Sequence, residues 1–146
     1  MEKTILLVNG PNLNLLGERE PEIYGKTTLQ DIEEKVENIV KKEGLKLLTF
    51  QSNHEGEIVD FLHQHSKAKY LIINAGALTH TSVALGDALS ALKIPFIEVH
   101  ISNVHARESF RHHSYLSPLA KGIIVGCGIE GYYMAAQLIT SRLNAE

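Results

Sequence analysis

Residues 5–25 read ILLVNGPNLNLLGEREPEIYG, and the predicted architecture follows from this segment. It begins with a continuous aliphatic run, Ile5 to Val8, which is typical of a strand buried on both faces of a parallel sheet. A long connection from Asn9 to Gly25 follows, rich in glycine, proline and asparagine. Connections of this length are uncommon inside a compact domain, and many of them are lids or binding loops. The segment therefore predicts a buried first strand that leads into an active-site loop.

Strand and helix patterns alternate along the rest of the chain. Thr28, followed three residues later by Asp31, predicts the start of a helix that stops at Gly44. Apolar runs predict further strands at 45–51, 70–73, 95–100 and 122–125. Further helices are predicted to open at 52–55 and to cover 79–92, 103–110 and 131–143. The second strand is polar enough for a sheet edge.

This alternation predicts an α/β fold with helices on both faces of a parallel sheet. Five strands favour a flavodoxin-like three-layer sandwich with the strand order 2-1-3-4-5. Residues 1–146 suffice for one core, so we predict a single domain. Ligands of such folds bind at the carboxyl ends of the strands, where the long loop, Asn74 and His100 are expected to lie.

The composition argues against several classes of protein. The net charge of -3 and the absence of basic runs predict no binding to nucleic acid or to an anionic membrane. The N-terminus does not resemble a signal peptide, and no apolar run approaches the ~20 residues of a membrane span. The single cysteine, Cys127, fits a reducing compartment. Together these features predict a soluble cytoplasmic protein.

Arg19 and Tyr24 lie five residues apart in the long loop. A free phenol has a pKa near ~10 and is a poor base at neutral pH, but an adjacent guanidinium would lower that pKa. The pair could therefore supply a general base. The alternative is a tyrosine that packs the loop onto the domain and an arginine paired with a nearby glutamate.

Glu98 and His100 are two residues apart on one predicted strand, so their side chains project to the same face. A carboxylate beside an imidazole can fix its tautomer, which suits a general acid at the end of a central strand. The alternative is a half-buried histidine whose hydrogen bond to the neighbouring glutamate has only a structural role.

Other polar residues near the strand ends could bind a ligand. Residues 101–103 begin a predicted helical segment, whose free backbone N–H groups would attract an anion. Arg107 and Arg111, four residues apart, would add charge on one face of that helix. Side chains that could line a site for a hydroxylated ligand, or be turn, capping and solvated residues, are Asn74, His80 and Asp87.

We predict neither a metal nor a cofactor site. His63 and His65 would face apart on a helix, and the segment 54–57 lacks the second histidine of a zinc protease motif. The segment 126–131 matches G-x-G-x-x-G, but a dinucleotide fingerprint belongs in the first βαβ unit of a fold. Tight packing of a strand against a helix is the preferred reason for these glycines.

Several motifs in order make the chain resemble the type II 3-dehydroquinate dehydratase family over nearly its whole length. The segments that carry the resemblance are NGPNLNLLG at 9–17, REP at 19–21, YG at 24–25, FQSNHEG at 50–56, THTS at 79–82, EVHISN at 98–103 and RHHS at 111–114. The resemblance implies a lyase that dehydrates 3-dehydroquinate to 3-dehydroshikimate, a step of the shikimate pathway of aromatic amino-acid biosynthesis. It also implies anti elimination through an enolate, without a cofactor.

For catalysis, the resemblance implies a role for five residues. Tyr24 matches the base that takes the C2 proton, and Arg19 matches the group that lowers its pKa and stabilises developing charge. Asn12 matches the residue that holds a water at the enolate oxygen. His100 matches the acid that protonates the departing hydroxyl, with Glu98 as its partner.

For binding, the resemblance implies that the substrate carboxylate rests on the backbone of Ile101 and Ser102. The residues that match groups holding the substrate hydroxyls are Asn74, His80 and Arg111. Asp87 matches an acid that reaches the site from a neighbouring subunit. The implied partners are therefore the substrate and further copies of the chain, assembled as trimers packed into a dodecamer.

Two positions depart from the family pattern. Ala75 stands where many members have proline, which predicts a less rigid loop. Gly86 stands where an arginine usually precedes the aspartate, which bears on the subunit contact near Asp87. The alternative to an enzyme is a non-catalytic flavodoxin-like module that binds a nucleotide or a small anion.

Overall fold

The computed structural model describes residues 3–18 and 21–146, except for the side chains of residues 23 and 24. The strands are β1 Thr4–Asn9, β2 Lys46–Gln51, β3 Tyr70–Asn74, β4 Phe96–His100 and β5 Gly122–Val125. Within the described residues they form one parallel sheet with the order β2-β1-β3-β4-β5, which confirms the predicted topology. The α-helices are α1 Pro21–Tyr24, α2 Leu29–Lys41, α3 Glu55–Gln64, α4 Val83–Leu92 and α5 Glu130–Asn144. The polar strand β2 lies at a sheet edge, as predicted.

Side-chain alternation along β1 divides the core into two layers. Ile5 and Leu7 pack with residues of α2 and α5, whereas Leu6 and Val8 pack with residues of α3 and α4. All four side chains are fully buried. Burial of each such side chain stabilises the fold by about 1.5–3 kcal/mol. The aliphatic run at 5–8 therefore holds both helical layers on the sheet.

Helix α2 begins where the sequence predicts. The Thr28 hydroxyl oxygen accepts a hydrogen bond from the Asp31 backbone N–H at 3.1 Å, and the Asp31 carboxylate accepts one from the Thr28 N–H at 3.0 Å. This reciprocal capping satisfies two backbone donors that the first turn leaves free. It also fixes the point at which the long loop ends.

Two predicted helices differ from the structure. Helix α4 begins at Val83 rather than at residue 79, because the Ser82 hydroxyl accepts the Leu85 N–H and caps the helix there. Residues 76–80 form a separate 3-10 turn. The helix predicted at 103–110 is wrong: this segment forms two 3-10 turns, Val104–Ala106 and Ser109–His112, with extended backbone at Arg107. So short a segment cannot sustain an α-helix by its own hydrogen bonds.

The long loop contains local structure. Residues 13–15 form a 3-10 turn, and α1 occupies residues 21–24. Strand register brings the ends of the central strands together, with Asn9 opposite Asn74 and Ile73 opposite Glu98. The carboxyl ends of β1, β3 and β4 therefore meet at one edge of the sheet. None of the helices in the described part of the chain is long and apolar enough to cross a membrane.

Candidate active site

A cavity of about 210 Å³ lies at the carboxyl ends of β1, β3 and β4. It brings together most of the polar residues that the sequence singled out. Those that line it are Asn12, Asn74, His80, His100, Ile101, Ser102, Arg107 and Arg111. Leu13, Leu15, Leu16 and Val104 add apolar surface to the wall. A small ligand with several oxygen atoms fits this mixture of polar and apolar groups.

The predicted contact between Glu98 and His100 is present. His100 Nε2 lies 2.5 Å from a carboxylate oxygen of Glu98, and both side chains are buried. Because this nitrogen is held by Glu98, Nδ1 is the ring nitrogen left to act on a ligand. The arrangement suits proton transfer at a fixed position.

Two serines that the sequence analysis missed hold the Glu98 carboxylate. Ser114 Oγ donates to one oxygen at 2.9 Å, and Ser117 Oγ donates to the other at 2.6 Å. Burial alone would raise the pKa of Glu98, but hydrogen bonds from His100, Ser117 and Ser114 lower it below its ordinary value. Glu98 is therefore ionised at neutral pH. Ser114 lies in the segment 111–114, which carried part of the family resemblance, but its distance from Glu98 in the sequence does not predict the contact.

His80 lies beside His100, with their ring centroids 6.3 Å apart. Its Nδ1 lies 2.8 Å from the backbone oxygen of His113, and a carbonyl oxygen can only accept. Nδ1 therefore carries a proton, and Nε2 of the neutral ring is an acceptor. This leaves an oriented hydrogen-bonding group on the cavity wall.

The backbone at Ile101 and Ser102 is held by the glycine-rich segment after β5. The Gly126 N–H donates to His100 O at 3.1 Å, and the Gly128 N–H donates to Ile101 O at 3.0 Å. The predicted helix N-terminus is not formed here, since the first 3-10 turn begins only at Val104. A backbone bend, rather than a helix dipole, therefore faces the cavity.

Packing accounts for the last glycine of the G-x-G-x-x-G segment. A Cβ atom at Gly131 would lie 3.2 Å from Ile124 Cγ2 and 3.3 Å from Val99 Cγ1. The predicted tight packing of strand against helix is therefore present at this glycine, where a Cβ would press on two side-chain methyl groups. Among the residues that the structure describes, no three or more His, Cys, Asp or Glu side chains are grouped so that they could hold a metal ion.

The two arginines share an acidic neighbour. Arg111 Nε lies 3.3 and 3.2 Å from the two carboxylate oxygens of Glu108, and Arg107 Nη1 donates to Ser102 Oγ at 3.3 Å. Arg107 Nε is also 3.8 Å from Glu108. Although the predicted helix is absent, Arg107 and Arg111 both line the cavity, and their positive charge favours an anion there.

Asn12 adopts a left-handed backbone conformation, with φ of 70°. Its N–H donates to the side-chain oxygen of Asn53 at 2.9 Å, and Gln51 Nε2 donates to that oxygen and to Gly10 O, each at 3.2 Å. Residues at the end of β2 thus hold the start of the long loop. Neither Gln51 nor Asn53 was a predicted site residue, although both lie in a segment that carried the resemblance.

Four predicted site residues are not among those that line the cavity, and one of them, Glu98, is buried against His100. Arg19 lies outside the described residues, as does the side chain of Tyr24, so their roles stay predictions. Asp87 is exposed on α4 and does not line the cavity of its own chain. Beside it, Gly86 is buried, and a Cβ there would lie 3.1 Å from the Tyr115 backbone oxygen. Ala75, the other position that departs from the family pattern, is fully buried and has a backbone φ of -75°.

Comparison with known proteins gives consistent matches. The family model described as dehydroquinase class II matches residues 3–140. The catabolic 3-dehydroquinase of Emericella nidulans is 62% identical over 138 residues, which cover 94% of this chain and 90% of that protein. The 3-dehydroquinate dehydratase of Janthinobacterium sp. is 56% identical over 145 residues, 98% of this chain and 100% of that protein. The crystal structure of the type II dehydroquinase from Propionibacterium acnes has 42% identity and a TM-score of 0.89, covering 97% of this chain and 98% of that one.

Proposed function

The chain belongs to the dehydroquinase class II family, and on that premise we propose that it removes water from 3-dehydroquinate to give 3-dehydroshikimate. The observation that carries this proposal is the buried pair of Glu98 and His100 beneath a polar cavity. A carboxylate that orients an imidazole is what a general acid requires. Some of the relatives are named catabolic 3-dehydroquinases and others 3-dehydroquinate dehydratases. The substrate that these names share is 3-dehydroquinate.

The proposed reaction is an anti elimination with two proton transfers. Tyr24, as a phenolate, takes the proton from C2, and electron density moves onto the neighbouring carbonyl oxygen as an enolate. Collapse of the enolate forms the ring double bond and breaks the bond from C1 to its hydroxyl. His100 protonates the departing hydroxyl, which leaves as water. No electrons are gained or lost, so the reaction needs no redox cofactor.

Residues around Tyr24 and His100 assist the two proton transfers in this proposal. Arg19 beside Tyr24 favours the phenolate and lowers the free energy of the negative charge that develops in the transition state. Asn12 holds a water at the enolate oxygen. Glu98, held by Ser114 and Ser117, fixes the ring of His100. Proton transfer of this kind typically contributes about 10²–10⁴-fold to the rate.

The remaining cavity residues bind the substrate in this proposal. The carboxylate lies on the backbone of Ile101 and Ser102, close to the positive charge of Arg107. The groups that hold the ring hydroxyls are Asn74, His80 and Arg111. Asp87 acts in the site of a neighbouring subunit, within trimers that pack into a dodecamer. A cytoplasmic location fits the exposed thiol of Cys127.

The direct test mixes the purified protein with 3-dehydroquinate and follows the ultraviolet absorbance of the conjugated enone product. We expect an absorbance rise that depends on protein concentration and is nearly lost in His100→Gln. A flat trace from wild-type protein with native secondary structure would contradict the proposed activity. Thermal stabilisation by a nucleotide, without turnover, would instead favour a binding module.

A further inference from the structure

Three polar side chains form a hydrogen-bonded network beneath the cavity. The hydroxyl of Tyr132, on α5, lies 2.8 Å from Asn74 Nδ2 and 2.6 Å from Asn9 Oδ1. Asn9 and Asn74 are register partners at the carboxyl ends of β1 and β3. Asn9 and Tyr132 are fully buried, whereas Asn74 also lines the cavity. One end of this network therefore lies in the core, and the other end reaches the cavity.

One backbone group sets the orientation of the Asn74 amide. The Gly76 N–H can only donate, and it points at Asn74 Oδ1 at a distance of 3.1 Å. The other end of the amide, Nδ2, must then face Tyr132 and donate to its oxygen. The Tyr132 hydroxyl hydrogen is left to bond with Asn9 Oδ1. Burial raises the pKa of Tyr132 above its ordinary value, so the hydroxyl keeps its hydrogen.

We propose that Tyr132 is a positioning residue, which together with the Gly76 N–H fixes the Asn74 amide so that its second Nδ2 hydrogen points at an oxygen acceptor of the ligand. The inference rests on the proposed function, because Asn74 is assigned there to the substrate. It adds a selective element: this wall of the cavity accepts a hydroxyl or carboxylate oxygen and disfavours a ligand group that can only donate. In a flipped amide, Asn74 Nδ2 would meet the Gly76 N–H, donor against donor, and a Tyr132 hydrogen turned toward Asn74 Oδ1 would be lost to Asn9 Oδ1.

Helix packing explains how a tyrosine on α5 can reach the strand ends. The preceding residue is Gly131, where a Cβ would lie within 3.3 Å of Ile124 and Val99 side-chain atoms. The close approach of α5 to the sheet brings the Tyr132 ring under β1 and β3. The neighbouring Tyr133 has a different setting, since its ring lies 4.3 Å from the Lys35 ammonium group on α2. The two tyrosines thus give a matched pair of variants.

The test compares Tyr132→Phe and Tyr133→Phe in steady-state kinetics with 3-dehydroquinate. Loss of one hydrogen bond that acts equally on bound substrate and transition state raises KM without changing kcat. For Tyr132→Phe we expect KM to rise about 3- to 10-fold, with kcat within about twofold of the wild-type value. For Tyr133→Phe we expect both constants to be unchanged. An unchanged KM in folded Tyr132→Phe would overturn the inference.

A double-mutant cycle separates positioning from a purely structural role. If Tyr132 acts through Asn74, the Tyr132→Phe change should have no further effect on KM in an Asn74→Ala background. An equal effect in both backgrounds would overturn the inference. If Tyr132→Phe does not fold, Asn9→Ala removes the amide that accepts the Tyr132 hydrogen and leaves Tyr132 itself in place. A smaller rise in KM is then expected, which again vanishes in Asn74→Ala. An inactive wild-type chain would instead refute the proposed function, and this inference with it.

Discussion

Glu98 accepts hydrogen bonds from His100, Ser114 and Ser117 while almost completely buried. An isolated carboxylate in this position would cost several kcal/mol through lost hydration. Three donors offset this cost and favour the ionised form. At the scale of single residues, the catalytic candidate His100 therefore depends on a carboxylate whose charge is maintained by two loop serines.

The lowered pKa of Glu98 predicts how stability changes with acid. Its contribution to the free energy of unfolding is present above the unfolded pKa of about 4.3 and is lost as pH falls through the lower folded pKa. Urea unfolding from about pH 6 downward should therefore show a smaller loss of stability in Glu98→Gln than in the wild type. Glu37→Gln, on the exposed face of α2, is the control and should keep the wild-type dependence. Equal pH dependence in wild type and Glu98→Gln would count against this account.

The proposed base leads to a second prediction for a single residue. Tyr24→Phe removes the phenol oxygen that takes the C2 proton, so kcat should fall by about 10²–10⁴-fold. Circular dichroism and the sedimentation coefficient should match those of the wild type. Tyr133→Phe, which removes a phenol outside the site, should keep full activity. A rate near that of the wild type in Tyr24→Phe would refute the assignment of the base.

At the scale of elements, the loop between β1 and α2 is fixed near both ends. At its start, a Cβ on Gly10 would lie 2.2 Å from the Ala75 backbone oxygen, so only glycine permits this approach of loop and β3. The Asn12 N–H is then held by Asn53. At its end, Thr28 and Asp31 cap α2. These contacts with the ends of β2 and β3 place Asn12 at the cavity.

The helix cap predicts a measurable change in stability. Thr28→Ala removes the hydroxyl oxygen that accepts the Asp31 N–H, and the free energy of unfolding should fall by about 1 kcal/mol. Thr28→Ser keeps an oxygen at the same position and should retain most of that stability. Urea unfolding monitored by circular dichroism measures both. Equal losses in the alanine and serine variants would mean that the methyl group, and not the cap, is responsible.

At the scale of the whole molecule, one chain supplies most of the polar cavity but not Asp87. This residue is exposed on α4, next to Gly86, whose missing side chain lets the Tyr115 backbone approach the helix. In the proposed assembly, the Asp87 carboxylate completes the site of another subunit. A heterologous contact whose rotation closes after three subunits generates a trimeric ring.

Mixed oligomers test this shared site. His100→Ala and Asp87→Asn should each be poorly active, but subunits unfolded together and refolded should combine an intact His100 with an intact Asp87 from a neighbour. Random mixing should then restore about one quarter of the wild-type activity per site. Light scattering should give the same oligomer mass for mixed and unmixed samples. Activity that stays at the average of the two separate variants would show that Asp87 does not act between subunits.

Local sequence patterns were enough to predict the sheet, the start of α2 and the pairing of Glu98 with His100. Each of these depends on local repetition: aliphatic runs for buried strands, a threonine and an acid for the α2 cap, and two-residue alternation for side chains on one face of β4. The family motifs also pointed to the residues that line the cavity. Local patterns failed at 103–110, since a helix that short depends on tertiary contacts for its stability.

The residues that support the site became visible only once the elements were packed together. Tyr132 bonds with Asn9 across 123 positions of sequence, and Ser117 bonds with Glu98 across 19. Hydrogen bonds between residues so far apart produce no periodic pattern in the sequence. A hydroxyl can hold a site residue only when packing brings the two within hydrogen-bond distance. The close packing at Gly131 moves α5 against the sheet and so places the Tyr132 hydroxyl beneath the cavity. Local chemistry thus set the elements and the reactive groups, and the packing of helices on the sheet set the bonds that orient them.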